Sequence, residues 1–203
     1  MIIEHLGKKP RIHPSAYIAP SATVCGDVEN GKETRILFNT SIIAEGGSIK
    51  IGSKCIILEN AVVRSSPKFS THIGDHTLIG PHTHVVGCRI EECVFIATGA
   101  SIFHGANIGR GSEVRINGIV HLKTQLPPNT TVPIGWIAVG SPAQVFPPNE
   151  HEKIWRVQEP LNFPKSVYGI DRPPKGETII PEITAQYSQW LATHKDDVIV
   201  DKK

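Results

Sequence analysis

The chain has 203 residues, of which 39% are hydrophobic, and Lys plus Arg exceed Asp plus Glu by only two (21 against 19). That length suits one repeat core with a tail, and the scattered basic surplus, with six Phe and three Tyr not interleaved with it, excludes a nucleic-acid surface. No segment is long and apolar enough to span a bilayer, Met1-Ile2-Ile3-Glu4-His5 leads straight into polar sequence, and the four cysteines lack zinc-knuckle or CxxC spacing; a cytoplasmic protein with free thiols and no membrane contact is expected.

From Ile12 to Ile119 an aliphatic residue recurs at every sixth position. The clearest stretch runs from Ile73 to Glu113 and contains one five-residue unit, Val85–Arg89. A short strand and a turn every six residues give three flat faces per coil, with coils stacked at roughly 4.8 Å as in a parallel sheet. Position one of each unit (Ile73, Ile79, Val85, Ile90, Ile96, Ile102, Ile108, Val114) is then inward, and position five (Thr77, Thr83, Val94, Ala100, Ala106, Ser112) is inward and small. Helix is excluded by the density of Gly, Thr and β-branched residues, and an antiparallel sandwich by the absence of hairpin signals. The expected fold is an all-β solenoid, a parallel β-helix over residues 1–147.

Three stretches break the count. Glu29–Arg35 interrupts the first coils, Gly46–Lys50 adds a corner loop, and Arg64–His72 inserts a Pro-containing loop before Ile73. Beyond Ile119 the period dissolves, and residues 148–203 read as a helical and extended tail. Asn149 and Glu152 have capping-box spacing for a helix over about Glu150–Gln158, after which Pro160 and Pro164 predict extended chain. A second helix is predicted from Pro181 through His194, with Ile183, Tyr187, Trp190 and Leu191 on one face. These helices are expected to dock on a flank of the solenoid, although the tail after Gly169 could instead cover a neighbouring subunit or recruit another protein. Ile43, Leu58, Val86 and Phe103 have no inward place in the count, and apolar outer faces predict association of three prisms into a homotrimer.

Two stretches carry a family resemblance: FNTSIIAEGGSIKIGSKCIILENAVVR (Phe38–Arg64) and IGDHTLIGPHTHVVGC (Ile73–Cys88), followed by VGSPAQVF (Val139–Phe146). Over about residues 10–147 the chain resembles the gamma-class carbonic anhydrases within the hexapeptide-repeat superfamily. The resemblance implies a left-handed winding, a trimer, and zinc held between subunits by three histidines that serves CO2 hydration. The histidine positions, however, fall on Arg64, Pro81 and Val86. Proline and valine offer zinc no donor atom, and a guanidinium stays protonated. The supporting arginine and glutamine fall on Ile43 and Leu58, and two aspartates become Glu45 and Glu59. An ion pair of Arg64 with Glu45 and Glu59 across a subunit interface is expected where the family holds its cation.

His72, His76, His82, His84 and His104 provide donors for a relocated metal site, with His76, His82 and Cys93 as the candidate set. His104 is the candidate general base if the chain is a coenzyme-A-dependent acyltransferase, as other hexapeptide proteins are. Cys25 and Cys88 have no basic neighbour in sequence that would activate a thiol. The favoured expectation is a trimeric gamma-carbonic-anhydrase-like protein with a degenerate metal site, no CO2 hydratase activity, no cofactor and a structural or binding role. A zinc enzyme with relocated histidines and a coenzyme A acyltransferase are the alternatives.

Overall fold

A computed structural model describes residues 1–200; the last three residues of the expected tail, 201–203, lie outside them. The chain winds as a parallel β-helix of the left-handed hexapeptide type, with helices at its C-terminal end. Strands of two to four residues form three sheets, one of ten strands and two of seven, and each sheet is one side of a prism. Successive coils align at eighteen residues where no loop intervenes, as in Ile90 with Ile108 and Ile96 with Val114. Across the short unit the offset falls to seventeen, Ile73 pairing with Ile90.

All eight predicted position-one residues are fully buried, and the six position-five residues are at most 2% exposed. Stacked Ile and Val ladders therefore fill the channel, and only a small fifth side chain fits beside them. The fourth residue of the units takes a left-handed backbone, as at Asn39, Lys54, Asn60, His76, His82, Cys93, Asn117, Lys123 and Asn129. Turning a corner between two-residue strands requires that conformation, and Asn tolerates it better than most residues.

Four local expectations are corrected. Glu29–Arg35 is no interruption: Asn30 aligns with Ile12 and Ile51 and is 4% exposed, an amide standing where other units carry an aliphatic residue. Its Oδ1 accepts a hydrogen bond from the His13 amide at 3.2 Å, which satisfies the buried group. The capping box does not form, because helix α1 (His151–Gln158) has Glu150 at its N-cap with no side-chain cap bond. Pro160 and Pro164 do not extend the chain. Each occupies the first turn of a helical segment, Glu159–Leu161 (3-10) and α2 (Phe163–Tyr168), where a missing N–H costs nothing. Helix α3 runs over Ile180–Leu191 and continues as a 3-10 turn over Ala192–Asp196.

The breaks expected at Gly46–Lys50 and Arg64–His72 each contain a loop, but shorter ones, residues 45–48 and 66–70, because the strands on either side lengthen into them. After α3 the chain returns to the N-terminal edge. There Val198–Val200 pairs antiparallel with Ile2–Glu4 and closes the first coil. Among the described residues no helix is long and apolar enough to cross a membrane.

Candidate functional site

The ten-stranded side carries the site. Cys25, Ile43, Arg64 and Val86 stand in one row on successive coils, since Cys25 pairs with Ile43, and Arg64 with both Ile43 and Val86. Glu45 follows the strand Ser41–Ala44, its side chain only 6% exposed. Arg64 Nη2 donates to Glu45 Oε1 and to Tyr187 Oη, the latter at 2.7 Å, and Tyr187 Oη donates to Glu45 Oε2 at 3.2 Å. Three side chains thus close a hydrogen-bonded ring between the solenoid and α3. Burial works against the Arg64 charge, but Glu45 and Tyr187 outweigh it and hold its pKa above the ordinary value. Burial, foremost, raises the pKa of the Tyr187 phenol.

The expected ion pair exists with Glu45 and within one chain. Glu59 is not a partner of Arg64; it is half-buried beside the corner residue Asn60. Of the positions where the resemblance puts zinc ligands, Arg64 and Val86 are adjacent in register, while Pro81 lies beyond Ile79 on another edge of the prism. Arg64 is committed as a donor, and Val86 and Pro81 have no lone pair to offer. These residues do not fit a zinc ion.

Helices α2 and α3 lie over this face of their own chain, and between them and the sheet is a cleft of about 700 Å³. Arg64, Glu45 and Tyr187 occupy one end; His84, Phe103 and His104 belong to its floor. Phe163 and Tyr168 of α2 meet Phe103 and Tyr187 edge-on, with centroids at 6.4 and 6.2 Å. Trp190 lies on the corner at Gly46, where an added Cβ would stand 2.9 Å from the indole. Phe69, from the Arg64–His72 loop, meets His104 edge-on at 5.4 Å. Ile43 and Phe103, read as faces for a neighbouring subunit, are half-buried, and Val86 is 6% exposed in the single chain. The apolar stripe left open lies on another side: Ile56 and Phe95, 38% and 41% exposed, flank half-buried Leu78 in direct register, and Leu58 is half-buried at the end of the same strand run.

The histidines divide into two sets. His76 and Cys93 do stack at one corner, but His82 belongs to a different edge, and all three are exposed. The backbone records the separation: Cys93 N donates to Asp75 O at 2.9 Å, whereas His82 N donates to Glu59 O at 3.1 Å. They do not form a ligand set. His104, by contrast, is 8% exposed, and its Nδ1 has no hydrogen-bond partner. Burial, then the charges of His84 and Arg64, push its pKa down to about 4. An imidazole whose conjugate acid is that strong is a weak base, far from the value near neutrality that general-base catalysis favours. His84 is shifted in the same direction by burial and Arg64.

Sequence reasoning placed Tyr187 and Trp190 on one helical face but missed their roles as partner of Arg64 and cover of Gly46. A helix face carrying a phenol, opposite a Gly-Gly corner, was the only signal, and it does not specify which coil receives it.

No protein-family model matches the sequence. The chain is 33% identical over 145 residues to the carbonic anhydrase of Geobacillus kaustophilus, covering 71% of this chain and 76% of the relative. It is 29% identical over 143 residues to gamma carbonic anhydrase 2, mitochondrial, of Arabidopsis thaliana, covering 68% of this chain and 49% of the relative, and so spans about half that protein's length. Among solved structures, a Bacillus cereus protein provisionally described as an acetyltransferase superposes with a TM-score of 0.63 at 29% identity, over 79% of this chain and 91% of that one. Fold and relatives together define a hexapeptide-repeat β-helix protein. Within that class, the chain belongs to the gamma-carbonic-anhydrase-like family.

Proposed function

We propose that this chain is a member of the family without CO2 hydratase activity, a homotrimer whose former metal position has become part of a small-molecule or protein-binding cleft. The observation that carries the reading is the ring of Arg64, Glu45 and Tyr187. A guanidinium occupies the row beside Val86 where the resemblance calls for imidazoles, and a helix of the same chain covers it. With no donor at Val86 or Pro81, metal-bound hydroxide has no place to form there. A cleft of about 700 Å³ with one end polar and the other aromatic is the size and chemistry of a small-ligand site. Exposed Ile56 and Phe95 on either side of half-buried Leu78 support association with further copies, and free cysteines accord with a reducing compartment.

The test is stopped-flow CO2 hydration by the purified chain with zinc supplied. No acceleration over buffer is expected, and light scattering should give three chains per particle. Hydration that disappears on His76→Gln or His82→Gln would overturn the reading and restore a zinc enzyme.

Acyl transfer from coenzyme A is a second reading, supported by the likeness to the Bacillus cereus structure and by His104 beside the cleft. Acetyl-coenzyme A binding that is lost in His104→Ala would favour it. The weak basicity of His104 argues against it.

A further inference from the structure

His5, Cys25, His194 and Asp197 are scattered through the sequence, yet one donor atom from each lies within 4.8 Å of the others. They arrive from three elements of the closing edge. His5 follows the first strand and is fixed by a tight turn, its amide donating to Lys8 O at 3.0 Å and Lys8 N donating back at 2.9 Å. Cys25 ends the strand Thr23–Cys25 in the row that continues to Ile43 and Arg64. His194 lies in the 3-10 turn after α3, and Asp197 caps that turn before the strand Val198–Val200.

The donors converge on a single point. Asp197 Oδ1 lies 2.6 Å from His5 Nδ1, and Oδ2 lies 2.8 Å from His194 Nδ1 and 4.0 Å from Cys25 Sγ. The two imidazoles stack at 4.2 Å. His5 and Cys25 are each 2% exposed, while His194 and Asp197 are half-buried, so the site lies where the tail covers the first coil. Ligands at about 2.1–2.3 Å from a tetrahedral zinc are separated by roughly 3.5 Å, so modest side-chain adjustments would admit the ion.

One further observation points to a ligand. Among the described residues the buried Cys25 sulfur has no side-chain partner nearer than the Asp197 carboxylate at 4.0 Å, so protein contacts leave the thiol almost unpartnered. Beyond the cluster, His194 Nε2 lies 3.8 Å from Glu45 Oε1, within ion-pair reach but longer than a hydrogen bond. A thiolate, a carboxylate and two neutral imidazoles balance the charge of a divalent cation.

We propose that His5, Cys25, His194 and Asp197 form a structural zinc site that fastens the C-terminal segment to the first coil. Binding displaces the thiol proton to solvent and leaves four protein ligands on the ion, a closed set with no position for substrate. The ion joins the N-terminal strand to the turn that follows α3, and so helps hold Tyr187 and Trp190 over the cleft. The site is independent of the reading given to Arg64, because hydratase activity and metal binding here are read by different assays.

The test uses the full chain, stripped with a chelator and dialysed, then titrated with Co²⁺ alone. One equivalent per chain is expected, with an intense thiolate-to-cobalt charge-transfer band that Zn²⁺ bleaches. Cys25→Ser should abolish the band, while Cys93→Ser and the pair His76→Gln, His82→Gln leave it intact. A chain that gives no thiolate band with Co²⁺, or a band that survives in Cys25→Ser of unchanged circular dichroism, overturns the proposal and makes the cluster a hydrogen-bonded latch.

Discussion

Between Ile12 and Val132 every coil repeats one local solution, whereas residues 151–200 reach their places through contacts that each occur once. In the solenoid, Ile90 is buried because Ile73 and Ile108 are stacked on either side of it, and the interior rungs apart from Asn30 repeat that arrangement. In the tail, Tyr187 is held by Arg64 and Glu45, and Trp190 by a corner at Gly46, with no repeat to reinforce either. Stability in the first region is shared among neighbours. In the second it depends on a few long-range contacts, and regions of that kind open first.

The largest expected effect lies in the ladder. Ile90→Ala removes a fully buried side chain from the middle of a stack and should cost about 3 kcal/mol, read from the midpoint of urea unfolding. Ile183→Ala, at a half-buried position of the mostly exposed α3, should cost under about 1 kcal/mol by the same measurement. Equal losses would mean that tail and solenoid unfold as one unit, and the contrast would fail.

Acidification probes the boundary between the two regions. His104 has its folded pKa pushed down to about 4 from an ordinary 6.5, so between those values the unfolded chain binds a proton that the folded chain refuses. Stability therefore falls as pH drops from about 6.5 and levels off near 4, by up to about 3 kcal/mol from this group. The burial-driven lowering at His84 and His121 adds in the same direction. His104→Gln should flatten the dependence of the urea midpoint between pH 7 and 5. An unchanged slope would mean that the cleft opens to water before His104 titrates.

This contrast also explains what could be read in advance. The hexad count located Ile73, Thr77, Ile90 and Ala100 in the channel because a period of six with inward small residues has one physical solution. It failed at Asn30, since an amide in a ladder position breaks the hydrophobic pattern without breaking the geometry. At the site, the resemblance grouped Arg64 with Pro81 and Val86, of which the structure puts only Val86 beside it, and charge logic paired Arg64 with Glu45 and Glu59 across an interface, of which the structure keeps Glu45, within one chain. Neither could supply Tyr187, separated by 123 residues from Arg64, because helical periodicity fixes a face and not the surface it meets. The gathering of His5, Cys25, His194 and Asp197 was invisible for the same reason: spacing rules for metal ligands apply within a motif, and these four come together only when the tail returns to the first strand.

The smallest effect discriminates most finely, because it compares two glycines in nearly the same backbone conformation. Gly26 and Gly46 have φ of +81° and +85°, so an alanine at either meets similar intrinsic strain, on the order of 1 kcal/mol. Their surroundings differ. A Cβ at Gly26 would stand 2.7 Å from the Ala44 carbonyl oxygen, backbone of the next coil, whereas at Gly46 it would meet the Trp190 ring at 2.9 Å and the Pro67 ring at 3.1 Å. Backbone locked in a ladder cannot yield, but a helix resting on a corner can. Gly26→Ala should lower the unfolding midpoint clearly more than Gly46→Ala, whose main signature should be altered fluorescence as Trp190 shifts. If Gly46→Ala proves as costly as Gly26→Ala, α3 is clamped as firmly as any coil, and the tail is a structural part of the prism rather than a separable cover over Arg64.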